Sequence, residues 1–209
     1  MNTFKSVKIS LAAVALTLPL VASAASTVTT GTGTLTATAT VNFTVIIPQY
    51  LYLRIGTGSS YATGALTGVS TTDLISFSPA VGSVGNGTAV AGTGGDLTGG
   101  VETAAVLGNG GNVTLTAAAT GPLTDSAGDT IPFTQITTAA AANTATYSTL
   151  AAPALSNTST SETITATNKV VKADAKWTFS YANSTTAPAG TYGGTTALNG
   201  IVTYTASMP

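Results

Sequence analysis

The side chains that most often carry out catalysis or bind transition metals are missing from this chain. Its 209 residues include no histidine and no cysteine. Histidine is the commonest general base near neutral pH, and the cysteine thiolate is a strong nucleophile and a soft metal ligand. A serine or threonine nucleophile would need an adjacent base, and no histidine can fill that role. The composition therefore argues against an enzyme, and we predict no catalytic residue.

Two groups of ionisable residues are candidates for chemistry. Asp125 and Asp129 share a short loop, but a calcium loop needs several more oxygen ligands at alternating positions, so the sequence favours a plain β-turn. Lys169, Lys172 and Lys176 could act as a base or form a Schiff base, yet beside a strand we expect them to point to solvent. We predict neither a metal site nor a cofactor.

The charge balance excludes two classes of partner. Only 6% of the residues are charged, with six lysines and arginines against seven aspartates and glutamates. A typical soluble domain carries about a quarter charged residues, so this surface must be covered mainly by small and hydroxyl side chains. Nucleic acids and anionic lipids both require a basic patch, which so few cations cannot form. We therefore expect no nucleic acid partner.

The first 24 residues have the three parts of a secretory signal peptide. Lys5 and Lys8 precede an apolar run over residues 9–21, and a small-residue cleavage site ends at Ala24. The apolar run is shorter than the ~20 residues needed to cross a bilayer as a helix. We expect cleavage after Ala24, export through the periplasm to the cell surface or the medium, and no membrane insertion of the mature form.

In the segment behind the signal peptide, residues 27–46, apolar residues alternate with hydroxyl or amide residues from Thr34 to Val45. The apolar positions are Leu35, Ala37, Ala39, Val41, Phe43 and Val45. This period of two predicts a strand with one buried face, and the β-branched threonines favour extended backbone. Such a strand needs a groove to fill. The pattern leaves open whether the groove belongs to its own domain or to a neighbouring copy.

The rest of the chain shows short strands separated by turns and no capped amphipathic helix. The strands are predicted at residues 50–56, 72–78, 101–107, 112–119, 162–167, 174–181 and 199–207. The clearest core strand is 174–181, in which Ala175, Trp177, Phe179 and Tyr181 alternate with polar residues. We expect loops at 80–100 and 137–161 and a hairpin turn at 108–111. The spacing predicts an all-β antiparallel sandwich in one domain.

Three stretches of the sequence carry a family resemblance. They are TATATV at 36–41, the aliphatic strand at 50–55 behind a proline, and AGTY at 189–192 followed by a VTYT strand. In these the chain resembles the chaperone–usher pilins, most of all the cysteine-free capsule-antigen type. The sequence departs from that pattern in its length, its glycine-rich loop and its lack of a penultimate aromatic residue.

The resemblance implies an immunoglobulin-like sandwich that lacks its last strand. The N-terminal extension of one subunit would then fill the groove of the next, with Leu35, Ala37, Ala39, Val41 and Phe43 as the inserted side chains. The implied organisation is a signal peptide at 1–24, a donor-strand extension at 25–46 and the sandwich at 47–209.

Two functions follow from these patterns. The first is a structural subunit of a surface fibre, assembled by donor-strand exchange. Its expected partners are other copies of itself, a periplasmic chaperone and an outer-membrane usher. The alternative is a self-contained secreted sandwich that acts as an adhesin, with the loops at 80–100 and 137–161 contacting a glycan or a host surface.

Overall fold

The computed structural model describes residues 26–56 and 72–209. The chain divides into two compact units, Met1–Ile47 and Pro48–Pro209. The predicted signal peptide at 1–24 lies outside the described residues. Within the described ranges, no helix has both the length and the apolar character needed to cross a membrane.

The larger unit is all-β. Its strands in chain order are β1 (Leu51–Ile55), β2 (Ile75–Ser76), β3 (Val90–Ala91), β4 (Thr93–Gly94), β5 (Val101–Gly108), β6 (Val113–Ala118), β7 (Leu123–Thr124), β8 (Thr130–Ile131), β9 (Ile136–Ala141), β10 (Ser148–Thr149), β11 (Ser159–Ile164), β12 (Val171–Tyr181) and β13 (Thr203–Ser207). The helices described are short 3-10 turns at Val81–Ser83, Phe133–Gln135 and Thr196–Leu198.

Two sheets dominate the unit. In the first, β5 lies between β1 and β12, and β12 also pairs with β3, β9 and β10. In the second, β6 lies between β11 and β13. The pairings are antiparallel except for β10 with β12, which is parallel. Two small ribbons, β2 with β4 and β7 with β8, complete the described pairings.

The two sheets share one hydrophobic core. Its buried residues include Ala104 and Val106 of β5, Val113, Leu115 and Ala117 of β6, and Val171, Ala173, Ala175, Trp177 and Phe179 of β12. The rings of Trp177 and Tyr204 lie 5.4 Å apart and link β12 to β13 across the sheets. The buried indole Nε1 donates to the carbonyl oxygen of Leu150 at 2.8 Å. A satisfied polar group in the centre of the core helps to fix how the sheets pack.

Several predicted strands are confirmed. β12 is the longest strand, and its alternate residues Ala175, Trp177, Phe179 and Tyr181 are buried as predicted. β6 buries the predicted Val113, Leu115 and Ala117. β1 and β13 lie where the sequence predicted them. In β6 and β12, alternation identified the strand because one face packs on the core and the other meets solvent.

Three predictions were wrong for reasons that the strand pairing explains. Residues 108–111 do not form a hairpin turn, because β5 and β6, which they connect, belong to different sheets. The loop predicted at 137–161 contains β9, and it pairs with β12 over six residues. The loop predicted at 80–100 contains β3 and β4. The glycine and alanine content of these two segments suggested irregular structure. They nevertheless form strands, because they pair with strands that are distant in sequence.

The smaller unit contains the segment predicted to be a strand. No strand is assigned to its described residues 26–47. The hydroxyls of Thr27 and Thr29 donate to the carbonyl oxygens of Thr38 and Thr36 at 2.9 Å and 3.1 Å. These two contacts fold the segment back on itself in an antiparallel sense. The predicted extended strand therefore has no β-ladder of its own in the single chain.

Candidate functional site

The outstanding surface feature of the larger unit is an apolar cavity with a volume of about 970 Å³. We call this cavity the groove. Its apolar lining includes Leu53, Ile55, Ile75, Phe77, Phe133, Ile136, Phe179, Val202 and Tyr204. A cavity of this volume is within the range of clefts that bind a ligand or partner.

The groove lies between β1 of one sheet and β13 of the other. In the described part of the chain, β1 pairs only with β5, and β13 pairs only with β6. Within residues 26–56 and 72–209, each of these strands therefore has a described ladder on one edge only. A free strand edge is a ready template for adding another strand.

The two edges meet at one end of the groove. There the Gln49 amide donates to the Pro209 carbonyl oxygen at 2.8 Å. The amide N–H of Gly110 donates to the sulfur of Met208 at 3.1 Å, and Met208 packs against the core. Leu51 and Met208 do not line the groove, whereas Leu53 does. Along β1 the groove is thus lined by Leu53, Arg54 and Ile55.

The opposite end of the groove carries carboxyl groups. Glu102 occupies an inward position of β5, in line with Ala104 and Val106 of the core, and is only 5% exposed. Its Oε2 atom is buried and accepts no hydrogen bond from the described residues. A side chain placed on Gly56 would collide with Asp73 Oδ2 and Glu102 Oε2 together, so these two oxygens both crowd against that glycine. Gly56 also has a φ of 77°, which disfavours any other residue there.

Burial, followed by the negative charges of Asp73 and Asp96, raises the pKa of Glu102 from 4.5 to about 7. A hydrogen bond with the Asp73 side chain also raises this pKa, whereas one from the Asp96 backbone lowers it. The carboxylate of Asp96 is itself held by the backbone N–H of Thr103 at 2.8 Å and by the Thr103 hydroxyl. With this raised pKa, the carboxyl of Glu102 holds its proton up to near neutral pH.

Sequence reasoning missed this cluster. The segment around Glu102 was predicted as a weak strand, with no role for its acid. One signal was present, since Glu102 falls at the same alternate positions as Ala104 and Val106. Asp73 and Asp96 are distant in sequence, and only the β2–β4 pairing places them together.

The five predicted donor side chains are exposed in the single chain. Leu35 is 50% exposed, Val41 71% and Phe43 89%, and Ala37 and Ala39 are also exposed. They share no buried face within their own unit. Their role as inserted side chains stays a prediction.

The other candidate residues behave as ordinary structural groups. Asp125 forms the predicted turn, because its Oδ1 accepts from the backbone N–H groups of Ala127 and Asp129 at 2.9 Å. Lys169, Lys172 and Lys176 are exposed as expected. In residues 26–56 and 72–209, no group of three or more acids could hold a metal ion.

One asparagine in a glycosylation sequence motif has a clear structural role. Asn183 is fully buried, and its amide donates to the Ser83 carbonyl oxygen at 2.6 Å. Its Oδ1 accepts from the Gly85 N–H at 2.8 Å. The side chain holds the 3-10 turn at Val81–Ser83 in place, so a glycan cannot be added to it in the folded protein.

Comparisons with family models, with curated protein sequences and with solved structures found no match. The function is therefore inferred from the chain's own residues.

Proposed function

We propose that this protein is an exported structural subunit of a surface fibre that assembles by donor-strand exchange. The apolar groove between β1 and β13 accepts the strand formed by residues 34–46 of another copy. The observation that carries the proposal is the coincidence of about 970 Å³ of apolar cavity with two strand edges that lack partners among the described residues.

The order of the strands supports an immunoglobulin-like sandwich with one strand position open. The first sheet runs β1-β5-β12-β9 in space, which corresponds to the A-B-E-D order of that fold. In the second sheet, β6 and β13 correspond to strands C and F, and β11 is an extra strand beside β6. The seventh strand, G, would pair with the free edge of β13. In this proposal the groove is the open position of that strand.

The extension has the chemistry that the groove requires. Its apolar residues recur with period two, so an extended backbone would direct Leu35, Val41 and Phe43 into the groove and the threonines to solvent. Main-chain bonds to β13 and β1 would supply affinity, and the inserted side chains would supply the fit. Because the same chain carries both the donor segment and the groove, assembly would be head-to-tail and open-ended.

The N-terminal sequence supports export, and an exported subunit with a free groove needs protection before assembly. A periplasmic chaperone would fill the groove, and an outer-membrane usher would deliver subunits to the fibre. Both partners belong to the proposal through the family resemblance.

Two complementary variants test the proposal. Ala39→Asp places a charge on the donor face and leaves the groove intact. Val202→Asp places a charge in the groove and leaves the donor segment intact. Neither purified protein should polymerise alone, yet an equimolar mixture should form one defined heterodimer that survives detergent at room temperature and separates on boiling. Thr38→Asp and Thr203→Asp are the matched controls, since both side chains should stay in water.

Wild-type protein and a variant that lacks residues 26–45 distinguish the remaining possibilities. If the extension inserts into its own groove, wild-type protein will stay monomeric, and deletion of residues 26–45 will lower its thermal stability until a peptide of that sequence is added. If the protein is a self-contained adhesin, the deletion will change neither stability nor assembly. Either result would overturn the fibre proposal.

A further inference from the structure

The small β2–β4 ribbon forms one wall of the groove. Ile75 of β2 and the following Phe77 line the groove, and the Phe77 ring lies 6.3 Å from the ring of Tyr181 in the main sheet. β2 pairs with β4 through Ile75 opposite Gly94 and Ser76 opposite Thr93. Movement of this ribbon would therefore change the width of the groove.

The same ribbon brings two acids together. Continuing its antiparallel register by two residues places Asp73 opposite Asp96. Like charges directly opposite each other on neighbouring strands destabilise the pair. Glu102 lies beside Asp73, since an oxygen of each carboxyl group crowds against Gly56, and the charges of Asp73 and Asp96 both act on the Glu102 carboxyl. The carboxyl of Glu102 thus joins the ribbon to the central strand β5.

We propose that Glu102, Asp73 and Asp96 form a proton-held latch, which fastens the ribbon at residues 72–79 to the rim of the groove and releases it when the proton is lost. The latch rests on the proposed function, because its purpose is to control when the groove takes up a strand. Asp96 stays bonded to Thr103 in either state, and the repulsion between an ionised Glu102 and Asp73 acts on the β2 side of the ribbon.

Among residues 26–56 and 72–209, the other ionisable groups near Glu102 are the following. Tyr204 of β13 interacts electrostatically with Glu102, and burial together with that carboxyl raises the pKa of the Tyr204 phenol. Trp177, the neighbour of Glu102 on β12, is uncharged. Arg54 of β1 lines the groove, and its neighbour Ile55 packs on the core. Lys176 of β12 is exposed to solvent. The negative charge of an ionised Glu102 would therefore act first on Asp73 and Asp96.

Hydrogen exchange of the mature chain, read out by mass spectrometry near pH 6 and pH 8 and corrected for intrinsic rates, tests the latch directly. With a pKa of about 7, the ionised fraction of Glu102 rises about tenfold between these pH values, so protection of residues 72–79 should fall by about that factor. Glu102→Gln should remove the pH dependence and keep the protection high. Glu162→Gln changes an exposed acid on β11 and serves as the matched control.

A second experiment measures the rate at which the Ala39→Asp chain takes up a labelled peptide of residues 34–46. Uptake should be faster near pH 8 than near pH 6. In a chain that also carries Glu102→Gln, the rate of uptake should not depend on pH. Equal protection of residues 72–79 at both pH values, or the same pH dependence in Glu102→Gln as in wild type, would overturn the latch even if the peptide binds. If protection follows Glu102 as expected but no peptide binds at any pH, the latch stands and the fibre proposal falls.

Discussion

A single charge on the donor segment should abolish assembly at one position and be harmless one residue away. Ala39 belongs to the apolar positions of residues 34–46, and its neighbours Thr38 and Thr40 belong to the hydroxyl positions. If the segment inserts as a strand, Ala39→Asp buries a carboxylate, whereas Thr38→Asp and Thr40→Asp leave theirs in water. All three variants introduce the same aspartate side chain.

The free energy gained on insertion can be worked out from the exposure of the side chains that would be inserted. Leu35, Val41, Phe43 and Val45 are 50%, 71%, 89% and 83% exposed in the single chain. Full burial of such a side chain stabilises by about 1.5–3 kcal/mol, so covering these exposed fractions would contribute about 4–9 kcal/mol. An aspartate with an ordinary pKa near 4 must be protonated to enter an apolar groove, which costs about 4 kcal/mol at pH 7. That cost removes roughly half or more of the apolar gain.

The assay is the yield of detergent-resistant polymer at matched expression, with thermal unfolding of each purified variant as a check on folding. We expect loss of polymer for Ala39→Asp and near wild-type yield for Thr38→Asp and Thr40→Asp. Equal tolerance of the three charges would refute the donor-strand reasoning and leave residues 27–46 as a linker. Equal loss of polymer in the three variants would also contradict it, because a charge on the solvent-facing side of an inserted strand stays in water and should not block assembly.

Three further predictions concern the folded unit. Trp177→Phe removes the donor to the buried Leu150 carbonyl oxygen and should lower the free energy of unfolding in urea by about 1–2 kcal/mol. Asn183→Ala leaves the amide and carbonyl groups of the loop at 81–88 without their buried partner and should cost more than about 2 kcal/mol, with increased proteolysis of that loop. The pKa of Glu102 is raised from 4.5 to about 7 in the folded protein, so folding takes up a proton between these pH values. The free energy of unfolding should therefore fall by about 1–3 kcal/mol, after allowance for screening, as the pH rises through that window. Above the window it should stay level. Glu102→Gln should flatten that fall in urea unfolding at several pH values, and an unchanged slope would contradict the raised pKa.

The sequence by itself predicted the all-β class and the strands that alternate strictly. β6, β12 and β13 each direct one set of alternate residues toward the core and the other toward solvent, so the period of their apolar residues identifies them without any knowledge of their partners. The lack of histidine and cysteine likewise narrows the chemistry open to the chain. Local composition suffices for these conclusions because each depends only on neighbouring residues or on residue type.

The central place of β5 was decided by tertiary structure. Its residues 102–108 are all buried, so its sequence shows no alternation and resembles a weak strand. β9 was hidden for the opposite reason, since its alanines and threonines are mostly exposed and it is held by its ladder with β12. The turn at 108–111 has hairpin residues, yet it crosses from one sheet to the other because β5 and β6 each find a different partner.

The groove and its acidic end also depend on contacts far apart in the chain. Val202 and Tyr204 line the same groove as Leu53 and Ile55, although some 150 residues of sequence separate them, and Asp73 reaches Glu102 only because β2 pairs with β4. A periodic pattern reports which face of a strand is apolar, but it does not report which strand lies beside it. The donor segment was therefore recognisable from its own residues, whereas the groove that would receive it exists only once the two sheets have packed.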